Sequence, residues 1–317
     1  MAITREVTAV AGVAMPVGES WTVRRCRYTG QESGAGRLCI ATGIHGDEVM
    51  GQLIVYGVVR RMMDHPQYLR GTVDVYPMLN PLGLDMGERM VPSGTRLDMN
   101  RSFPGAPDGT PMEHMCHAIV QDMAGADLVL DIHDGTRHKS ELYEVRMHGR
   151  DEKRLMDRAR SLCPEFIWVY PDLEVYKSSL TGALSLMGTN ALILEADERH
   201  HHPQRVADRI VDGIFCMMKQ MGLWTGDAAQ APQGEIPCAH GREEVSRITC
   251  EFPGIYVPEY SIGQTLQAGD VLGRIVDAIQ GETLETIAAP CGGLVFSQRS
   301  YGVVYPGTLI ARMYRQE

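Results

Sequence analysis

The sequence predicts a two-part chain: an α/β domain whose sheet is covered on both faces by helices, followed by a smaller all-β domain. Three observations carry this. Up to Gly222, apolar runs of strand length alternate with longer runs of helix length. Between 225 and 237 the composition shifts to Ala, Gln, Gly and Pro, which reads as a linker. From Cys238 onward the helical signals vanish, and short β-type runs are separated by glycine and proline, as in Gly269-Asp270-Val271-Leu272-Gly273-Arg274-Ile275-Val276. The expected division is therefore 1–224, a linker at 225–237, and a β domain at 238–317.

Residues 1–36 read as β structure and turns. Trp21 to Arg27 alternates weakly, and Thr29-Gly30 and Ser33-Gly34 mark loops. Arg37 to Thr42 is apolar enough for a buried strand. A turn follows, Gly43-Ile44-His45-Gly46-Asp47-Glu48, and then a proline-free apolar stretch from Met50 to Met63 that predicts a helix. Gly71 to Pro77 reads as the next strand. Asn80 to Gly109 is long, irregular and rich in Gly, Pro and Asp; such a loop inside a compact domain is functional or disordered. Pro111 to Met123 predicts a helix capped by Thr110, with Pro111 in its first turn. Asp127 to His133 is a buried-type strand with a polar end.

Glu152 to Cys163 is an amphipathic helix and Phe166 to Tyr170 a strand. Leu180 to Met187 is a short helix, and Ala191 to Glu195 a strand ending in a carboxylate. Pro203 to Gly222 is helical, with Val206, Ile210, Ile214, Met217 and Met218 on one face.

Composition excludes several classes. The balance of 44% hydrophobic and 22% charged residues over 317 positions is that of a globular protein. A formal net charge of −10 argues against nucleic acid or an anionic membrane as partner, while leaving room for a local arginine cluster that grips an anionic substrate. The eight cysteines, Cys26, Cys39, Cys116, Cys163, Cys216, Cys238, Cys250 and Cys291, include no CxxC pair. They read as reduced apolar residues of a reducing compartment. No apolar run spans a membrane and no signal-peptide core is evident, so the expected location is cytoplasmic.

The chemistry centres on the turn after Thr42. His45 and Glu48 are three residues apart between a strand and a helix, where open α/β sheets place their ligands. Imidazole and carboxylate are both zinc ligands, and a catalytic zinc takes three protein ligands plus an open position. An HxxE pair alone is common and is frequently solvated. His133 changes that balance, because it closes another predicted strand and completes a His-Glu-His set. Its competing role is a strand-end histidine bonded to backbone.

In the long loop, Arg101 offers a planar fork for a carboxylate and Asn100 a further donor. Asp98 can reach a metal-bound histidine and fix its tautomer. Arg89 and Arg96 are candidates for a carboxylate or an oxyanion, although loop arginines are usually solvated, the reading preferred for Arg96. Glu195 ends its strand where a carboxylate suits general-base work, with Asp197 and Glu198 as rivals. His200-His201-His202 reads as a solvated cluster. The chain has no GxSxG, and no P-loop or GxGxxG follows a strand.

Taken in order, His45-Gly46-Asp47-Glu48, Asn80-Pro81, Asp98-Met99-Asn100-Arg101-Ser102-Phe103-Pro104-Gly105, Asp131-Ile132-His133 and Leu194-Glu195 resemble the succinylglutamate desuccinylase and aspartoacylase family, a branch of the zinc carboxypeptidase-like hydrolases. The resemblance covers most of residues 38–200, and the final β domain is similar to that of the family. It implies a mixed eight-stranded sheet flanked by helices, with one zinc ion per chain held by His45, Glu48 and His133. It implies that Asp98 supports His45, that Asn100 and Arg101 hold a substrate carboxylate, and that Arg89 polarises the scissile carbonyl. Glu195 would activate water, and Tyr301 would close the pocket from the β domain. Relatives are often dimers or larger.

The chain also departs from the family. The loop from Arg89 to Asn100 differs in length from aspartoacylase, and Ala196-Asp197 stands where the family often has a glycine. Ser185 stands where aspartoacylase-like members place a substrate-binding arginine. These departures turn the expectation away from N-acetylaspartate and towards bacterial deacylases of other N-acylated amino acids. The expected activity is zinc-dependent hydrolysis of the amide of a small N-acyl amino acid. The rival readings are a zinc carboxypeptidase acting on short peptides and a non-catalytic binding protein on the same fold.

Overall fold

The computed structural model describes residues 3–316 except 17, 33, 93–96, 136–137, 172–173, 197–201 and 229–233. Arg96, Asp197, Glu198, His200 and His201 lie outside the described residues.

The first part of the chain builds β1 (Thr4–Ala14), β2 (Ser20–Thr29), β3 (Arg37–Thr42), α1 (Met50–Asp64), β4 (Thr72–Tyr76), α2 (Pro81–Met86) and α3 (Pro111–Met123). It continues through β5 (Leu128–Asp134), β6 (Lys139–Glu141), β7 (Glu144–His148), α4 (Glu152–Ser161), β8 (Phe166–Tyr170), α5 (Glu174–Lys177), α6 (Leu180–Leu186), β9 (Ala191–Ala196), α7 (Pro203–Gln220) and β10 (Cys238–His240). Thr110 caps α3 as its sequence predicts, and Glu113 completes a reciprocal capping box.

Among the described residues, nine strands form one mixed sheet in the order β1-β2-β4-β3-β5-β9-β7-β8-β10. The resemblance implied eight. The ninth is β10, which lies beyond the expected linker yet adds in parallel to β8. Each of the long central strands is buried on both faces. On β3, Leu38 and Ile40 join a core with Ile54, Val58 and Met62 of α1 and with Ile210 and Ile214 of α7. The alternate residues Cys39 and Ala41 join a second core with Met115 and Ile119 of α3 and Leu184 of α6. This is the period of two that separates the faces of a strand. Each fully buried Leu, Ile, Val or Met among these contributes about 1.5–3 kcal/mol relative to exposure.

The remainder is all β: β11 (Val245–Thr249), β12 (Gly254–Pro258), β13 (Thr265–Leu266), β14 (Val271–Asp277), β15 (Glu282–Ala288), β16 (Gly293–Arg299), β17 (Gly302–Val304) and β18 (Leu309–Arg315). One sheet runs β11-β18-β16-β13 and the other β15-β14-β12-β17. Residues of both sheets, among them Tyr256, Leu272, Val295 and Met313, enclose a common apolar core.

The two parts interlock. β6 leaves the large sheet's part of the chain and pairs with β16, placing Glu141 opposite Ser297. Phe296 of β16 stacks on Phe166 of β8 with ring centroids 4.3 Å apart. No helix among the described residues is long and apolar enough to cross a membrane, and the eight cysteines are free.

Candidate active site

Two glycines shape the turn that presents His45. Gly43 has a φ of +68°, in the left-handed region that favours glycine. Gly46 packs against α2 so closely that a Cβ there would lie 1.9 Å from the carbonyl carbon of Gly83. Its N–H donates to the Glu88 carbonyl at 3.1 Å, so the His45 turn and the start of the long loop are tied together. On the next strand, Asp134 accepts a hydrogen bond from the Met50 N–H at 2.9 Å, satisfying a free donor at the start of α1.

His45, Glu48 and His133 converge. All three are buried, and their ligand atoms lie within 4.8 Å of one another. Both imidazoles turn Nδ1 towards Glu48, His45 at 2.8 Å from Oε1 and His133 at 2.9 Å from Oε2. Their far nitrogens each meet a carboxylate: His45 Nε2 lies 3.3 Å from Asp98 Oδ1, and His133 Nε2 lies 3.1 Å from Asp131 Oδ2. A carboxylate on the far nitrogen fixes the tautomer and leaves the other lone pair free for a metal. The donor set therefore fits a divalent ion: two imidazoles and one carboxylate, each imidazole backed by its own acid.

The electrostatics follow from this crowding. Burial pushes the Glu48 carboxyl up, but His133 and His45 outweigh it and hold the group well below the usual carboxylate range. Burial pushes His133 down, and Asp131 and Glu48 reverse that, leaving it well above the usual imidazole range. Burial raises Asp98, and the hydrogen bond from His45 overcomes it and holds the carboxyl down to about 2.

Asp98 also caps a short 3-10 turn, Met99–Arg101, by accepting the Asn100 N–H at 2.9 Å. Asn100 is fixed in turn: its Oδ1 accepts the Leu180 N–H at 2.9 Å, and its amide nitrogen lies 3.4 Å from His133 Nε2. Arg101 is exposed at the pocket and donates to the Asn100 carbonyl at 2.7 Å. Arg89 donates to Glu48 Oε1 at 2.7 Å and lines the same pocket.

Glu195 sits beside the ligand set, because β9 pairs with β5 in a register that places it opposite His133. On its other side β7 places Glu144 opposite Glu195. Arg146, two residues along the same face of β7, is buried among three carboxylates. It pairs with Glu195, donates to Glu144 Oε1 at 2.5 Å and to Glu141 Oε1 at 2.8 Å. Burial raises Glu195; Arg146 offsets this and Glu141 adds to it, so the group stays above the usual carboxylate range. Burial likewise pushes Glu144 up to about 8. Glu141, which Lys139 and Arg312 also reach, is held down to about 2 by Arg146 against its burial.

His45, Glu48, His133, Arg89, Asn100, Arg101 and Glu195 all line one cavity of about 260 Å³. Tyr301 does not. It is 68% exposed, in the turn between β16 and β17. The tyrosines that do line the cavity are Tyr170 and Tyr176, both from the large α/β part, with rings stacked 4.7 Å apart. Ser185 is buried and donates to Asp151 at 2.5 Å, so it serves the packing of α6. Arg146, Asp131, Lys139 and Arg312 are the functional candidates that sequence reasoning passed over. Asp131 was legible, since a residue two before His133 on a strand shares its face.

Comparison with known proteins identifies the family. The family model of the succinylglutamate desuccinylase/aspartoacylase catalytic domain matches residues 35–220. The chain belongs to this family. Over 142 residues it is 29% identical to the N-alpha-acetyl-L-2,4-diaminobutyric acid deacetylase of Halomonas elongata, a match covering 44% of this chain and 41% of that relative. The fold of a family member from Rhodobacter sphaeroides superposes with a TM-score of 0.83 at 19% identity, covering 100% of this chain and 96% of the other. The product-bound ectoine utilization protein EutE (DoeB) of Ruegeria pomeroyi gives a TM-score of 0.82 at 18% identity over 100% and 96%. The fold shared with these two structures extends over both parts of the chain, the helix-flanked mixed sheet and the β sheets that follow it.

Proposed function

We propose that this chain is a zinc-dependent amidohydrolase that removes the acyl group from a small N-acyl amino acid. One observation carries the reading. A His-Glu-His set able to hold a metal ion, a carboxylate suited to general-base work and an Arg-Asn pair able to grip a carboxylate line a single small cavity. The deacetylase of Halomonas elongata, a relative over part of its length, supports the same class of substrate.

His45, Glu48 and His133 would hold the zinc, with Asp98 and Asp131 each keeping one imidazole in the liganding tautomer. When bound, zinc supplies Lewis acidity, which acidifies water and polarises an amide carbonyl. Arg101 and Asn100 hold the substrate carboxylate and so align the amide with Glu195. Glu195 takes a proton from the attacking water and delivers it to the departing amine nitrogen. Its raised pKa brings it nearer to neutral pH than a solvated glutamate, which suits both halves of that transfer. Arg146 holds the Glu195 carboxylate in place. Arg89, across the cavity, donates to the oxyanion that develops on the carbonyl. Tyr301 has no part in this reading.

The test is Glu195→Gln, assayed for amine release over a panel of N-acyl amino acids and short peptides with metal content measured in parallel. The variant keeps its metal and loses about 10²–10⁴-fold in kcat. Unchanged turnover with metal retained would remove Glu195 from the mechanism. Release from peptides several residues long, with none from N-acyl amino acids, would replace the deacylase by a carboxypeptidase.

A further inference from the structure

The catalytic cavity is small. At about 260 Å³ it falls just under the roughly 300–1,000 Å³ common for small-molecule sites. It shares Tyr170, Tyr176 and Arg312 with a second cavity of about 430 Å³, whose other walls include Trp168, Val245, Arg242 and Arg247. Nothing in the proposed mechanism uses this second space.

Its chemistry is one-sided. Arg247 of β11 stands directly opposite Arg312 of β18 in the antiparallel register. Opposed residues share a face, and like charges placed so repel. Arg312 is partly relieved by Glu141 at 3.4 Å and by the Trp168 ring, 5.5 Å from its guanidinium. Arg247 and Arg242 are both exposed, and among the described residues neither side chain has a hydrogen-bond or ion-pair partner. Trp168 adds a buried indole N–H that is also without a partner. The cavity therefore offers three guanidinium groups and an aromatic wall, and among the described residues no carboxylate lines it. An anion between Arg247 and Arg312 would remove the repulsion, and the aromatic wall would bury an apolar or planar arm.

We propose that this second cavity is an anion-binding subsite of the same active site, and that it takes a second carboxylate carried on a long arm of the N-acyl amino acid. The inference rests on the deacylase reading and narrows it: the substrate has one carboxylate at Asn100 and Arg101 and another remote from the scissile amide. The arm is either the acyl chain or the amino-acid side chain, and the two are separable by experiment.

The test uses the double variant Arg242→Ala/Arg247→Ala, whose sites lie outside the catalytic cavity on exposed positions. Calorimetric titration with suberate, an eight-carbon dicarboxylate, needs no turnover. The double variant binds suberate about 10-fold or more weakly than wild type, as expected for loss of charge-assisted hydrogen bonds. Equal affinities would overturn the subsite. In the release assay the same amino acid is offered with an acetyl and with a suberyl group, alongside an N-acetyl amino acid with a long carboxylate side chain. The double variant lowers the ratio of long-armed to acetyl turnover about 10-fold for whichever arm enters the subsite. An unchanged ratio with acetyl turnover present overturns the subsite and leaves the deacylase standing. Suberate affinity that depends on the two arginines, with no amide hydrolysed, supports the anion site and overturns the deacylase.

Discussion

Replacing Arg146 by methionine removes the cation that Glu144 and Glu195 share. Both carboxylates are buried, and β7 and β9 hold them directly opposite each other. Glu141 keeps Lys139 at 2.8 Å and Arg312 at 3.4 Å, so the orphaned groups are the other two. Removing one partner of a buried ion pair costs about 3–5 kcal/mol. At roughly 2–4 °C per kcal/mol for a domain of this order of size, Tm falls by about 6–20 °C. The orphaned carboxylates escape part of that cost by taking up protons, so the loss is larger at pH 8 than at pH 5. Differential scanning calorimetry of wild type, Arg146→Met and Arg146→Lys at both pH values reads this directly. Lysine keeps the charge but not the fork that reaches three carboxylates, and falls between the other two. An Arg146→Met protein whose Tm at pH 8 stays within about 2 °C of wild type would refute the reasoning, since even 1 kcal/mol moves Tm by that much.

Further expectations concern the site and its frame. Asp131→Asn breaks the support behind His133 and weakens metal affinity about 10–100-fold in a chelator competition, while His133 itself stays in place; an unchanged affinity would remove Asp131 from the metal site. Glu144 has a folded-state pKa raised by burial to about 8, so the folded protein binds more protons than the unfolded chain between the ordinary glutamate value and pH 8. Its contribution to stability is then greatest at acid pH and is lost as pH rises through that window. Glu144→Gln flattens the fall in Tm across it, and an unaltered slope would show that Glu144 is ionised there. Gly46→Ala drives a Cβ into the backbone of α2 and costs about 1–3 kcal/mol or more, with metal affinity falling alongside Tm. A fully stable alanine variant would contradict the close approach.

The proposed metal ligands and general base were legible because each stands at the end of a strongly apolar strand or in the turn that leaves it. His45 follows Leu38 to Thr42, His133 closes a run of aliphatic residues, and Glu195 ends another. Asp98, Asn100 and Arg101 stood out as a polar cluster in a loop too long to be idle. β7 escaped notice for the opposite reason. Glu-Val-Arg-Met-His carries its charges on a face that reads as solvent-exposed, and only the mutual pairing of Arg146 with Glu141, Glu144 and Glu195 makes that face a buried one. No local pattern announces such pairing, because the large sheet brings β7 and β9 together while β6 belongs to the sheet of β16. The same limit explains Tyr301. A tyrosine flanked by turn residues says nothing of where its turn points, and here it stays exposed while Tyr170 and Tyr176 reach the cavity. The ninth strand was missed because β10 is only three residues long and lies beyond a stretch with linker composition.

Elemental analysis by mass spectrometry of wild type and His133→Ala, each purified without added metal and again after zinc reconstitution, tests the central claim most directly. About one zinc per wild-type chain and near-complete loss in the variant are expected, because a third ligand cannot be spared from a site of this kind. A wild-type protein that holds no zinc even after reconstitution, or a variant that holds as much as wild type, would contradict it.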